Sequence, residues 1–285
     1  MNTFEENSGK IDDVTIIHEI EQQLEISIPE VMGLRNGKTG FKTFHGHIIE
    51  LSIVSINTQK VLEKIFTLNY LEKLILNETE ISEIPENINN LTKLNYLSLK
   101  QNSLNSLPEN LLNLPSLSYL NLSNNKFQTF VTKEGHLSLL KTLEFENNSI
   151  TKIIFAENSG YLLENLLLNN NKIEELNVEY LINLRYLSVQ YNHLAVLPTV
   201  KNLSKLTTLE LDFNQITELT IDLENVLNLV IFSISYNKIK DIDFSDIYLK
   251  NISYFLFDGN PLDKKSQKRL KNYVKAKGIK TSFFS

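Results

Sequence analysis

The chain has 285 residues, with no Cys, no Trp, six Pro and nine Gly, and a net charge of −6. Without Cys there can be no disulfide framework, cysteine nucleophile, thiolate zinc site or iron–sulfur ligation, while 42% apolar and 22% charged residues describe a globular chain rather than a disordered one. The skew lies elsewhere: 47 Leu and 35 Asn together exceed a quarter of the sequence, which points to a rule attached to particular positions.

Charge is distributed unevenly. Residues 1–30 carry −7, residues 263–285 carry +7, and the stretch between them carries −6. The first residues are acidic and hold no apolar run, so no signal peptide is expected. The longest apolar run, Val226 to Phe232, is interrupted by Asn228 and is too short for a membrane helix. A soluble cytoplasmic protein is the expectation.

The first predicted element is a helix. Ile16, Ile17, Ile20 and Leu24 share one face, with Glu19, Glu21 and Glu25 outside. Asp12 and Asp13 stand where an N-cap is expected, and Ser27-Ile28-Pro29 is expected to end it. Phe41 and Phe44 then precede His45-Gly46-His47, which reads as a hairpin-like lead-in strand covering an open sheet edge.

From Ile48 onward a single frame recurs. Leu94, Leu97, Leu99, Asn102 and Leu104 form one clear copy of L-x-x-L-x-L-x-x-N-x-L. Ten copies begin at Ile48, Leu71, Leu94, Leu117, Leu140, Leu163, Leu184, Leu206, Leu229 and Ile252, spaced by 21 to 23 residues. A recurring unit of this length means a solenoid. The second and third apolar positions alternate with polar ones, the period of a half-buried strand. Ile84, Ile88 and Leu91, or Leu107, Leu111 and Leu114, fit short helical or 3-10 turns in the second half of a unit. After Asn260-Pro261-Leu262, Lys264 to Lys277 can form a closing helix with Leu270, Tyr273 and Val274 on one face and Gly278 at its stop. Ile279, Phe283 and Phe284 supply further apolar cover.

This register resembles the leucine-rich-repeat family, with the short repeats of its cytoplasmic kind. The resemblance covers about residues 48–262. It implies an α/β solenoid: a horseshoe with a parallel concave sheet, short turns on the convex side and helical caps at both ends. The expected division is an N-terminal cap over 1–47, about ten repeats over 48–262, and a C-terminal cap helix and tail over 263–285. It also implies a ladder of turn asparagines, Asn102, Asn125, Asn148, Asn171, Asn192, Asn214, Asn237 and Asn260. Each would bond the backbone of its own turn and of the next unit. Ile56 and Thr79 replace Asn in the first two units, so those turns should be bonded differently.

In a parallel stack, the residues before, between and after the strand leucines form outward columns. Two groups emerge, the aromatic one toward the C-terminal half. Tyr186, Tyr191, Phe213, Tyr236 and Tyr254 are aromatic, and Glu144, Glu146, Glu210 and Asp212 are acidic. Exposed aromatics among polar neighbours are typical of protein-binding surfaces. The plainer alternative is that the rings only pack on one another. The acids do not read as a catalytic or metal set, because the two pairs lie three strands apart, about 14 Å.

No metal, cofactor or catalytic residue is expected. The five His are dispersed, and no nucleophile elbow or phosphate-binding loop occurs. Some bacterial members of the family carry ligase domains with a cysteine nucleophile, which this chain cannot supply. The expected role is therefore non-enzymatic: holding a protein partner, with a basic surface, on the concave face. Nucleic acid and membrane are not expected as partners. The alternatives are an adaptor that binds nucleic acid or anionic membrane through the basic C-terminal helix, and a purely structural spacer.

Overall fold

A computed structural model describes residues 12–34, 37–219, 226–242 and 251–281. Phe283 and Phe284 lie outside them. Helix α1, Asp13–Leu24, comes first and buries Ile16, Ile17 and Ile20. Its Asp12 makes no side-chain cap. Asp13 instead accepts the N–H of Ile48 at 2.9 Å, tying the helix to the sheet. The helix stops before Ser27, because Glu25 turns left-handed and sends its N–H back to Glu21.

Strand β1, Gly40–Phe44, and strand β2, His47–Val54, form an antiparallel hairpin through His45 and Gly46. Both turn residues have positive φ, 49° and 79°, as a tight two-residue hairpin turn requires. From β2 onward the sheet is parallel. Its members are β3 (Lys73–Asn77), β4 (Tyr96–Ser98), β5 (Tyr119–Asn121), β7 (Thr142–Glu144), β9 (Asn165–Leu167), β10 (Tyr186–Ser188), β11 (Thr208–Glu210), β12 (Ile231–Ser233) and β13 (Tyr254–Leu256). With β1 they make one eleven-stranded sheet in chain order.

Register follows the leucine frame. Leu51, Leu74, Leu97, Leu120, Leu143, Leu166, Leu187, Leu209, Phe232 and Phe255 stand in one paired column. All of them are buried. One hydrophobic core runs from Ile16 to Ile279, each strand contributing the inward side chains that its neighbours need covered.

The convex side divides in two. Early units use helical turns: 3-10 turns at Gln59–Val61 and Glu86–Asn90, and helices α2 (Leu62–Ile65) and α3 (Glu109–Leu112). Later units run extended there. Strands β6 (Thr129–Val131) and β8 (Lys152–Ile154) pair in parallel, and bridges continue from Ile154 to Asn177 to Thr199. The switch follows composition. Pro85 and Pro108 sit at the N-caps of the second 3-10 turn and of α3, whereas Thr129-Phe130-Val131 and Ile153-Ile154-Phe155 are β-branched and aromatic.

Helix α4, Lys264–Lys277, packs beyond the last unit and ends at left-handed Gly278. Lys280 then pairs with the free side of β13, exchanging bonds with Ser253 and Phe255.

Candidate partner surface on the concave face

Two hydrogen-bond ladders hold this face, one behind it and one upon it. Behind it, each of the eight turn asparagines bonds in three directions. Asn171 donates to Leu168 O at 3.0 Å and to Phe145 O at 2.9 Å, and accepts the N–H of Ile150 at 3.0 Å. Asn102, Asn237 and the others repeat this pattern. The partner unit is thus the preceding one, not the next. Thr79 replaces the amide in the second unit with a hydroxyl that donates to Leu76 O at 3.0 Å, and its own N–H goes to Asn102.

The second ladder lies on the concave surface. Asn77 accepts from the Ser98 hydroxyl at 2.7 Å and from Lys100 N–H at 3.0 Å. Asn169 does the same with Ser188 and Gln190. Asp212 does so with Ser233 at 2.5 Å and Ser235 N–H at 2.6 Å. One of the candidate contact acids therefore has a structural task. Partial burial raises its carboxyl above the usual range, and these hydrogen bonds oppose that shift. Sequence reasoning missed this ladder. Its signal is an Asn or Asp at or just after the end of one strand and a Ser within the next.

The other acids are also tethered. Glu144 accepts from the Tyr119 hydroxyl at 2.8 Å and from Asn121. Glu146 accepts from Asn169 at 2.8 Å. Glu210 collects Tyr186 at 2.7 Å, Ser188 at 2.9 Å and Gln190 at 2.8 Å. Burial, followed by the Glu210 carboxylate, pushes the Tyr186 phenol up to about 12, so Tyr186 is a neutral donor at physiological pH.

The five candidate aromatics do not form one cluster. Tyr186 and Tyr254 begin strands, at the near side of the face. Tyr186 is engaged with Glu210, and Tyr254 lies under Lys280, whose Nζ is 5.1 Å from the ring centre. Tyr191, Phe213 and Tyr236 follow strands β10, β11 and β12 and stack on one another. Their ring centres are 4.3 and 4.4 Å apart, with planes within 7°. Beyond them Gly259 has no Cβ, and one placed there would meet Tyr236 Cδ1 at 2.4 Å. Glycine thus leaves room for the last ring.

This column has an unusual backbone. The equivalent residue in every unit, from Ser55 through Asn124, Asn147 and Asn170 to Gly259, has positive φ. Its N–H bonds the carbonyl of the next unit, as in Tyr191 to Asp212 O at 2.9 Å and Phe213 to Ser235 O at 3.0 Å. Asn and Gly suit that conformation; Ser55, Glu78 and Gln101 adopt it too, but bulky aromatics are the residues it suits least. Tyr191, Phe213 and Tyr236 adopt φ of 54°, 56° and 56°. These residues remain 48%, 39% and 52% exposed, so the strain is offset by ring stacking rather than by burial.

Among the described residues, no group of three or more His, Cys, Asp or Glu side chains could hold a metal ion. No helix among them is long and apolar enough to cross a membrane.

A parallel solenoid with a turn-asparagine ladder and an outward concave sheet defines a class of repeat protein. The family model described as "Leucine rich repeat" matches residues 69–127, and the chain has the leucine-rich-repeat fold. No curated protein matches the sequence. Solved structures do. The TLR13–ssRNA13 complex aligns with a TM-score of 0.66 at 20% identity, over 90% of this chain and 35% of that one. A chain of the octameric complex of latrophilin 3, Unc5D and FLRT2, in which FLRT2 contributes leucine-rich repeats, aligns with a TM-score of 0.65 at 23% identity, over 75% and 71%. YopM from Yersinia enterocolitica aligns with a TM-score of 0.53 at 21% identity, over 68% and 39%. At these identities the likeness concerns the fold.

Proposed function

We propose that this chain is a non-enzymatic interaction module that holds a protein partner on the C-terminal half of its concave face. The observation that carries the reading is the stack of Tyr191, Phe213 and Tyr236. Three consecutive units place a large ring at a left-handed position and leave it exposed. Strain kept at an exposed surface, offset only by the rings stacking on one another, is a mark of function, and aromatics dominate binding hot spots. Glu210 and Asp212 share the unit of Phe213, and Glu144 ends β7 with Glu146 just after it, two strands before the unit of Tyr191, so the partner presents a basic surface with apolar spots. Their carboxylates serve as fixed negative charge rather than as general acids or bases.

Among structural neighbours, FLRT2 sits in a protein assembly and TLR13 in a complex with single-stranded RNA. An acidic face repels a phosphate backbone, which favours protein over RNA here. A concave sheet of ten strands at ~4.8 Å spacing offers a length on the order of 45 Å.

The test is an affinity capture from the native host with wild-type protein and with Tyr191→Ala combined with Phe213→Ala. A partner recovered by the wild type and lost by the double variant supports the reading. Equal recovery by both places the partner elsewhere.

A further inference from the structure

The two ends of the solenoid carry opposite charge, and among the described residues each holds one pair of full charges. At the acidic end, Asp13 bonds Ile48 N–H and lies 3.4 Å from His47, Glu19 pairs with Lys64 at 2.6 Å, Glu21 accepts Ile28 N–H, and Glu30 accepts from Thr43. At the basic end, Arg269 is held by Asp241 at 3.6 Å and by Ile242 O. Lys264, Lys265, Lys268 and Lys275 are exposed and make no ion pair among the described residues.

This pattern costs helix α4 stability. Lys264 and Lys268, Lys265 and Arg269, and Lys271 and Lys275 stand four residues apart with like charge, which destabilises a helix. The first turn holds two lysines against the helix dipole, offset by Asp263, which caps the helix by accepting the N–H of Ser266 at 2.6 Å. Covering the last repeat requires only Ser266, Leu270 and Val274, which are buried. A mixed polar outer face would serve that purpose equally well. The single sign of the outer face therefore calls for an anionic partner.

We propose that the outer face of α4 docks on an anionic lipid bilayer. Placement favours a flat surface. The helix lies past the last strand, and at ~1.5 Å per residue its 14 residues span about 21 Å. The remainder of the chain carries −13 against the tail's +7. End-on contact with a plane keeps most of that acidic body beyond the screening distance of about 8 Å at physiological salt, whereas a nucleic acid duplex extending past the helix would run alongside it. The apolar face of α4 is already committed to the core, so binding is electrostatic, peripheral and reversible.

The experiment is co-sedimentation of the full chain with phosphatidylcholine vesicles, with and without roughly a third phosphatidylserine, at low and physiological salt. A parallel arm offers a short DNA duplex. Each lysine near the surface contributes about fivefold. Lys264→Gln, Lys265→Gln, Lys268→Gln and Lys275→Gln together should therefore lower vesicle binding by about several hundredfold. Wild-type binding should require phosphatidylserine and weaken with salt. The quadruple variant should unfold at the same temperature as the wild type or higher, since like-charge repulsion is removed. No vesicle binding at low salt, undiminished binding by the variant, or binding to duplex without binding to vesicles would each overturn the proposal.

Discussion

The two halves of the concave face share one scaffold and differ in what they place on it. From β2 to β5, Glu50 and Glu78 are balanced by Lys73 and Lys100. The aromatic pair there is tied down. Tyr96 and Tyr119 stack at 4.2 Å, Lys73 lies 4.9 Å from the Tyr96 ring centre, and the Tyr119 hydroxyl bonds Glu144. From β7 to β13, the equivalent positions carry Glu144, Glu146, Glu210, Asp212 and Asp258 with no Lys or Arg. The rings of Tyr191, Phe213 and Tyr236 stand exposed on left-handed backbone. The repeat thus separates two tasks. Leucine columns and asparagine ladders supply stability along the whole length, and the outward columns are free to vary.

The largest expected effect tests the shared scaffold. Asn171→Ala removes one acceptor and two donors from buried backbone groups. It should cost about 3 kcal/mol or more in urea unfolding. Asn102→Ala, in the other half, should cost a similar amount. A large difference between the two would mean that the halves are not held alike.

Gly259→Ala comes next. It places a methyl group against the Tyr236 ring at positive φ, and should lower stability by about 1–2 kcal/mol while displacing the end of the stack. The equivalent change at Asn124, Asn124→Ala, meets no such ring and should cost less.

Phe213→Asn gives a C-terminal unit the residue type that Asn124 and Asn147 use. Relief at the left-handed position and loss of ring stacking oppose each other, each being about 1 kcal/mol. Stability should change by less than about 1 kcal/mol, while partner affinity falls. A loss above about 2 kcal/mol would make the stack a packing feature.

The smallest effect is expected for Asp212→Asn. An Asn in this role already serves at Asn77 and Asn169. Because the folded state raises the Asp212 carboxyl, ionisation there opposes folding. Its contribution improves as pH falls from the raised folded value toward the ordinary carboxylate value. The neutral variant should therefore be equally or slightly more stable at pH 7, and its stability should vary less with acid.

The solenoid was legible because Leu and Asn recur at fixed positions, and identical residues facing identical neighbours declare their register. The strand column from Leu51 to Phe255 could be read in this way. Three features could not. The direction of the asparagine bonds depends on how a turn leans on the preceding unit, which spacing does not encode. The contacts of the aromatics, a three-ring stack apart from Tyr186 on Glu210 and Tyr254 beside Lys280, depend on side-chain rotamers that the register does not set. The left-handed column was masked at the very units where rings replaced Asn, although Asn124, Asn147, Asn170 and Gly259 carried its signal. The convex switch after α3 reflects β-branched residues at Thr129-Phe130-Val131 overriding the helical turns of earlier units.

The central claim is that recognition belongs to the C-terminal half of the concave face. Calorimetric titration of the captured partner against two double variants tests it. Tyr191→Ala with Phe213→Ala should weaken binding by about a hundredfold or more, as hot-spot rings do, while Tyr96→Ala with Tyr119→Ala should leave affinity within about twofold. Equal losses in the two halves, or a loss confined to the Tyr96 and Tyr119 variant, would contradict the account.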